Sequence, residues 1–138
     1  MSVAATTVTG TLEPAVLRLR VPLAAGIPLE RGVINTSAVR PVIEGTAAWR
    51  WQLRVEDTKV LNKGHMTDGA TRLIHSMVIM ATGVPTPTPV SLATPGGGLL
   101  ARGEGPGIVN AELRQFVELA DVSGRFGITV TFIMIPVF

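Results

Sequence analysis

Apolar and polar side chains alternate at every second residue in three segments of the chain. Over 16–21, Leu17, Leu19 and Val21 fall on one face and Arg18 and Arg20 on the other. Over 49–56, Trp49, Trp51, Leu53 and Val55 share a face, opposite Arg50, Gln52, Arg54 and Glu56. Over 126–138, Phe126, Ile128, Val130, Phe132 and Met134 line one side. The other side begins with Gly127, Thr129 and Thr131 and turns apolar at Ile133 and Ile135. Period two is the repeat of a half-buried strand, so each segment predicts a strand, the last with its end buried on both sides. The Thr/Val alternation of 6–12 predicts an edge or arm strand. A short strand is expected over 39–43, weakened by Pro41, which has no N–H to donate.

Two segments carry other signals. In 110–122, Leu113, Phe116, Val117 and Ala120 recur at helical spacing behind a candidate Asn110 cap, which predicts one short helix. The Asp68-Gly69 pair predicts a hairpin between 60–66 and 71–80, although 71–80 also fits a helix. Residues 84–107 hold Pro85, Pro87, Pro89 and Pro95, then Gly96-Gly97-Gly98, Gly103, Gly105 and Gly107. That composition predicts a long extended loop, since alternating prolines stiffen a chain and glycines release it. The fold expected is mainly β: an antiparallel sandwich or barrel with one short helix and this long loop. Residues 1–138 are expected to form a single β-rich domain, with 1–12 a candidate N-terminal arm and 84–107 the extended loop.

Composition sharpens this reading. Of 138 residues, 46% are apolar and 16% charged, against roughly 25% charged in an average soluble domain. A chain so apolar is not disordered, and it holds more apolar surface than one small domain needs to bury. There is no cysteine, which excludes a disulfide framework, a thiolate nucleophile and a cysteine zinc site. The formal net charge is +2. The isoelectric point of about 9.9 reflects the absence of Tyr and Cys rather than a strongly basic surface. No signal peptide or membrane-spanning segment is expected, which suggests a cytoplasmic or virion location and no membrane partner.

Candidate chemistry is sparse. His65, Asp68 and His75 would approach one another across a hairpin at Asp68-Gly69, and two imidazoles with a carboxylate are a weak candidate metal site. No serine sits in a G-x-S-x-G turn, and 103–107 lacks the Lys-Ser/Thr ending of a phosphate loop. The expectation is a protein that is not an enzyme and takes no cofactor. Tryptophans and arginines alternate over 49–54, as in surfaces that stack bases and track phosphates, yet here they occupy opposite faces. The tryptophans continue into Leu53 and Val55, the pattern of a core-facing row.

These observations favour a structural protein that assembles with itself into a shell, tube or cage, such as a phage-like capsid, decoration or tail component of a virion. Val90, Leu92, Leu99 and Leu100 in the long loop are the first candidate subunit-interface residues. Ile133, Ile135 and Phe138 at the C-terminus are the others. The loop is expected to reach a neighbour and to be replaceable by a short bridge without loss of the fold. The alternative is a nucleic-acid-binding β-barrel using Arg18, Arg20, Arg50 and Arg54; nucleic acid is the less favoured partner.

Overall fold

A computed structural model describes residues 2–12 and 15–138. In chain order the strands are β1 (Leu17–Arg20), β2 (Ile34–Val39), β3 (Val42–Gly45), β4 (Arg50–Glu56), β5 (Thr67–Asp68) and β6 (Thr71–Arg72). They continue with β7 (Val78–Ala81), β8 (Val90–Ser91), β9 (Gly98–Glu104), β10 (Gly107–Ile108), β11 (Ala111–Phe116) and β12 (Thr131–Val137). All pairings are antiparallel. The sheets have the orders β1-β3-β10, β2-β11-β7-β8, β12-β4-β9 and β5-β6. Among the described residues there is neither a helix nor a closed barrel. One apolar core joins Val39, Ile79 and Leu113 of one sheet to Trp51, Leu53, Val55 and Leu100 of another.

The clearest alternation is realised in β4, where Trp51, Leu53 and Val55 are buried and Arg50, Gln52, Arg54 and Glu56 face outward. In β1, Leu17 and Leu19 are half-buried and both arginines exposed. The segment expected over 39–43 is split at Pro41. The chain leaves one sheet at Val39 and enters another at Val42, while the Pro41 carbonyl accepts from Val109 N–H at 2.9 Å. The hairpin at Asp68-Gly69 exists but is minimal, with pairs Thr67–Arg72 and Asp68–Thr71 only. Gly69 takes φ +61°, the left-handed conformation that tight hairpin turns require.

Four expectations are overturned. Residues 110–122 contain the central strand β11, not a helix: it pairs with β2 over its whole length and with β7 over most of it. Here Ala111, Leu113 and Gln115 point inward, with Glu112, Arg114 and Phe116 on the other face. A polar residue inside and an aromatic outside break the alternation, so the helical spacing of Leu113, Phe116 and Val117 stood out instead. Buried Gln115 is retained by donating from Nε2 to the carbonyls of His75 (3.0 Å) and Phe116 (2.8 Å).

Residues 84–107 are not one long loop. Residues 84–89 are exposed, but β8 and β9 follow, and Val90, Leu92 and Leu100 are buried in the chain's own core, with Leu99 half-buried. The triple glycine is a close approach: a Cβ on Gly97 would fall 1.8 Å from the Val55 carbonyl oxygen. Where β9 meets β4 the register slips, Leu53 opposing Ala101 but Arg54 opposing Leu99. The extra residue of this bulge, Leu100, is buried. Replacing 86–103 by a short bridge is therefore expected to abolish cooperative unfolding, as followed by circular dichroism during heating, because it removes most of β9.

The third correction concerns 126–138. Only Thr131–Val137 is a strand, and Phe126, Ile128, Val130, Phe132 and Met134 pack against the core as expected. Ile133 and Ile135, however, are 39% and 40% exposed rather than buried on both sides. The arm strand expected over 6–12 has no strand partner among the described residues; residues 2–12 are exposed throughout.

Candidate assembly surface

The outer face of the β12-β4-β9 sheet gathers side chains that lie far apart in sequence. The register sets Ile133 beside Arg54, Ile135 beside Gln52 and Val137 beside Arg50. On the other flank of β4, Leu99 adjoins Arg54, Arg102 adjoins Gln52 and Glu104 adjoins Arg50. Directly opposed residues on antiparallel strands share a face, so the surface has an apolar margin along β12 and a charged middle along β4 and β9. The margin continues past the strand into Phe138, 91% exposed, whose ring meets Trp49 edge-on at 5.6 Å. Trp49 itself is only half-buried and precedes β4.

This face unites four expected interface residues, Ile133, Ile135, Phe138 and the half-buried Leu99, with two of the four arginines singled out for phosphate. Arg54 Nη2 donates to the Gly96 carbonyl at 3.4 Å. Arg18 and Arg20 belong to the β1-β3-β10 sheet instead, and Arg20 is paired with Glu44 at 2.7 Å. The four arginines therefore do not form one patch.

His65, Asp68 and His75 are likewise held apart by separate partners. His65 Nδ1 bonds the Leu73 carbonyl (2.8 Å), and Asp68 accepts from Arg125 N–H (3.0 Å). His75 Nε2 meets Glu118 at 2.7 Å, with its ring edge-on to Phe116. Among the described residues, no three His, Cys, Asp or Glu side chains are placed to share a metal ion.

Two buried carboxylates escaped the sequence reading. Asp57 accepts from Lys59 N–H and Gly64 N–H at 3.0 and 2.7 Å. Asp121 accepts from Ile74 N–H and Glu118 N–H at 3.0 and 2.8 Å. Each satisfies backbone donors that a loop would otherwise bury unpaired. The short Asp-to-backbone spacing of a local turn was a legible signal for Asp57; the Asp121 bond to Ile74 spans 47 residues and left none.

A second feature is a cleft of about 490 Å³. Val39, Met66, Met77 and Leu113 form its base, with segments 22–27 and 125–130 as its two walls. The second wall supplies Phe126, Ile128 and Val130, the apolar row of the C-terminal segment before β12 begins. Gly127 exchanges backbone hydrogen bonds with Thr67, both at 2.9 Å. Beyond it, among the described residues, Ile128, Thr129 and Val130 make no backbone hydrogen bond.

No helix among the described residues is long and apolar enough to cross a membrane. Among known proteins, no family model and no curated relative matches the chain.

Proposed function

We propose that this protein is a structural subunit, a sandwich of antiparallel sheets that assembles with its own copies into a shell, tube or cage of the kind that virion coat, decoration or tail subunits build. The observation that carries this reading is the apolar margin of Ile133, Ile135, Val137 and Phe138 along an open sheet edge. Edge strands left free in solution are usually short, charged or bulged, because their unpaired N–H and C=O groups recruit other chains. β12 has seven residues and carries no charge, and Pro136 is its one blunting device. Covering that margin with a second subunit removes apolar surface from water and leaves the arginine and glutamate rows beside it to fix orientation.

The test is light scattering after size exclusion, with negative-stain microscopy, on the intact chain and on the Ile133→Lys/Ile135→Lys variant. Both side chains face outward, so circular dichroism is expected to be unchanged while association weakens at least about tenfold. An intact chain that stays monomeric at all concentrations overturns the proposal.

The second reading, nucleic-acid binding, draws on Arg50, Arg54 and Arg102 sharing this face. Glu56 and Glu104 interrupt that row, which disfavours it. Its signature is binding of single-stranded oligonucleotide that weakens steeply with salt, whereas apolar assembly persists or strengthens as salt rises.

A further inference from the structure

We propose that the N-terminal arm of one copy inserts as an added strand into the 490 Å³ cleft of a second copy; the inference rests on the self-assembly reading and adds a second contact to the β12 margin.

The cleft has the character of a strand's vacant place. Its base is core: Met66 and Met77 are 4% and 1% exposed, yet both line it. Methionine adapts its shape to whatever covers it. Along one wall, Ile128, Thr129 and Val130 offer backbone donors and acceptors that no strand among the described residues uses. Along the other, the Gly26 carbonyl accepts from the Ser37 hydroxyl at 2.7 Å, and no backbone bond ties 22–27 among the described residues. A cleft with an apolar base and free main-chain groups on its rim suits an extended uncharged peptide, held by the main chain and sorted by alternate side chains.

The arm has the matching chemistry. Residues 2–12 contain no charged side chain, so none must be stripped of water on entry. Ala4, Thr6, Val8, Gly10 and Leu12 fall on one face of an extended chain, and Val3, Ala5, Thr7, Thr9 and Thr11 on the other, where most of the hydroxyls can remain in solvent. Val3, Val8 and Leu12 are 86%, 88% and 96% exposed, apolar side chains left in water among the described residues. Eleven extended residues span about 36 Å and the six-residue wall 125–130 roughly 20 Å, so the arm is long enough.

The chain's own arm does not fill the cleft: none of residues 2–12 lines it. The Val16 carbonyl accepts from Thr46 N–H and Ala47 N–H at 2.9 and 3.1 Å, which fixes the arm's root at the start of β1. The cleft wall begins at Pro22, beyond the other end of that strand. Root and cleft thus lie at opposite ends of β1. Each copy gives a strand ahead of β1 and accepts one beyond it; in a shell, tube or cage that exchange runs head to tail and propagates, where a reciprocal exchange would close as a dimer.

The absence of cysteine permits a direct test. Thr6→Cys, Val8→Cys and Gly10→Cys are each combined with Ile128→Cys in the full chain, so that neighbouring registers are sampled. The variants are oxidised and run on a non-reducing gel, with hydrogen exchange of 2–12 measured in the assembled protein. The expected result is a ladder of disulfide-linked multimers and slowed exchange in the arm. Val8→Asp/Leu12→Asp should weaken association by more than about a hundredfold, since it would bury unpaired charge. A disulfide closed within a single chain overturns the exchange between copies. Assembled protein with neither cross-links nor arm protection overturns arm insertion and leaves self-assembly standing. A chain that never assembles overturns both.

Discussion

Trp51→Ala is expected to lower stability by about 3–5 kcal/mol, the usual cost of emptying a large buried aromatic site. Trp51 is buried on the inner face of β4, and its indole Nε1–H donates to the Gly105 carbonyl at 2.8 Å. Truncation would leave both a cavity and a carbonyl without its donor. The ring also fills the space over Gly103, its direct neighbour on β9. A Cβ at Gly103 would lie 2.2 Å from the ring's Cζ2, closer than van der Waals contact allows. Gly103→Ala, which adds one methyl, should therefore be severe as well, and less severe where Trp51 has been shortened to Leu. That coupling is the mark of one packed pair rather than two independent sites. Chemical denaturation of the two single variants and the double variant measures it. A loss below about 1 kcal/mol for Trp51→Ala would remove this residue from the core.

Gly64→Ala should be comparably damaging for a different reason. Gly64 has φ +79°, and a Cβ there would fall 2.2 Å from Ala93 N and 2.5 Å from the Leu92 carbonyl carbon. These are backbone atoms, so no change of rotamer relieves the collision. The same residue donates to buried Asp57 (2.7 Å), and its carbonyl accepts from Met77 N–H (2.7 Å), so a shift would break both bonds. A loss of about 4 kcal/mol or more is expected, in the range reserved for a named structural failure. Gly69→Ala is the control. Gly69 also has a positive φ, +61°, but nothing lies within 4 Å of its missing Cβ, so only the left-handed penalty of roughly 1–2 kcal/mol applies. Thermal melts should separate the two variants widely. Equal losses would mean that conformation alone, not contact with the Leu92–Ala93 backbone, governs Gly64.

The sequence by itself determined the β class, the inner and outer faces of β1 and β4, and the hairpin at Asp68-Gly69. In each, the partition of polar from apolar side chains coincides with the pleat, and such a period is a local property that a short window displays. Where that coincidence fails, the pattern misleads. Inward Gln115 and outward Phe116 disguise β11 as a helix. The prolines and glycines around β8 and β9 disguise two core-bearing strands as a loop, and so made Val90, Leu92 and Leu100 look like interface residues. Only the tertiary structure decided which edges stay open, which of Ile133, Ile135, Arg50, Arg54 and Arg102 share a face, and that a cleft lies between segments 22–27 and 125–130. Those properties are set by register between strands many tens of residues apart. A slip of one residue would turn every side chain of a strand to the opposite face without changing the composition or the period of any segment.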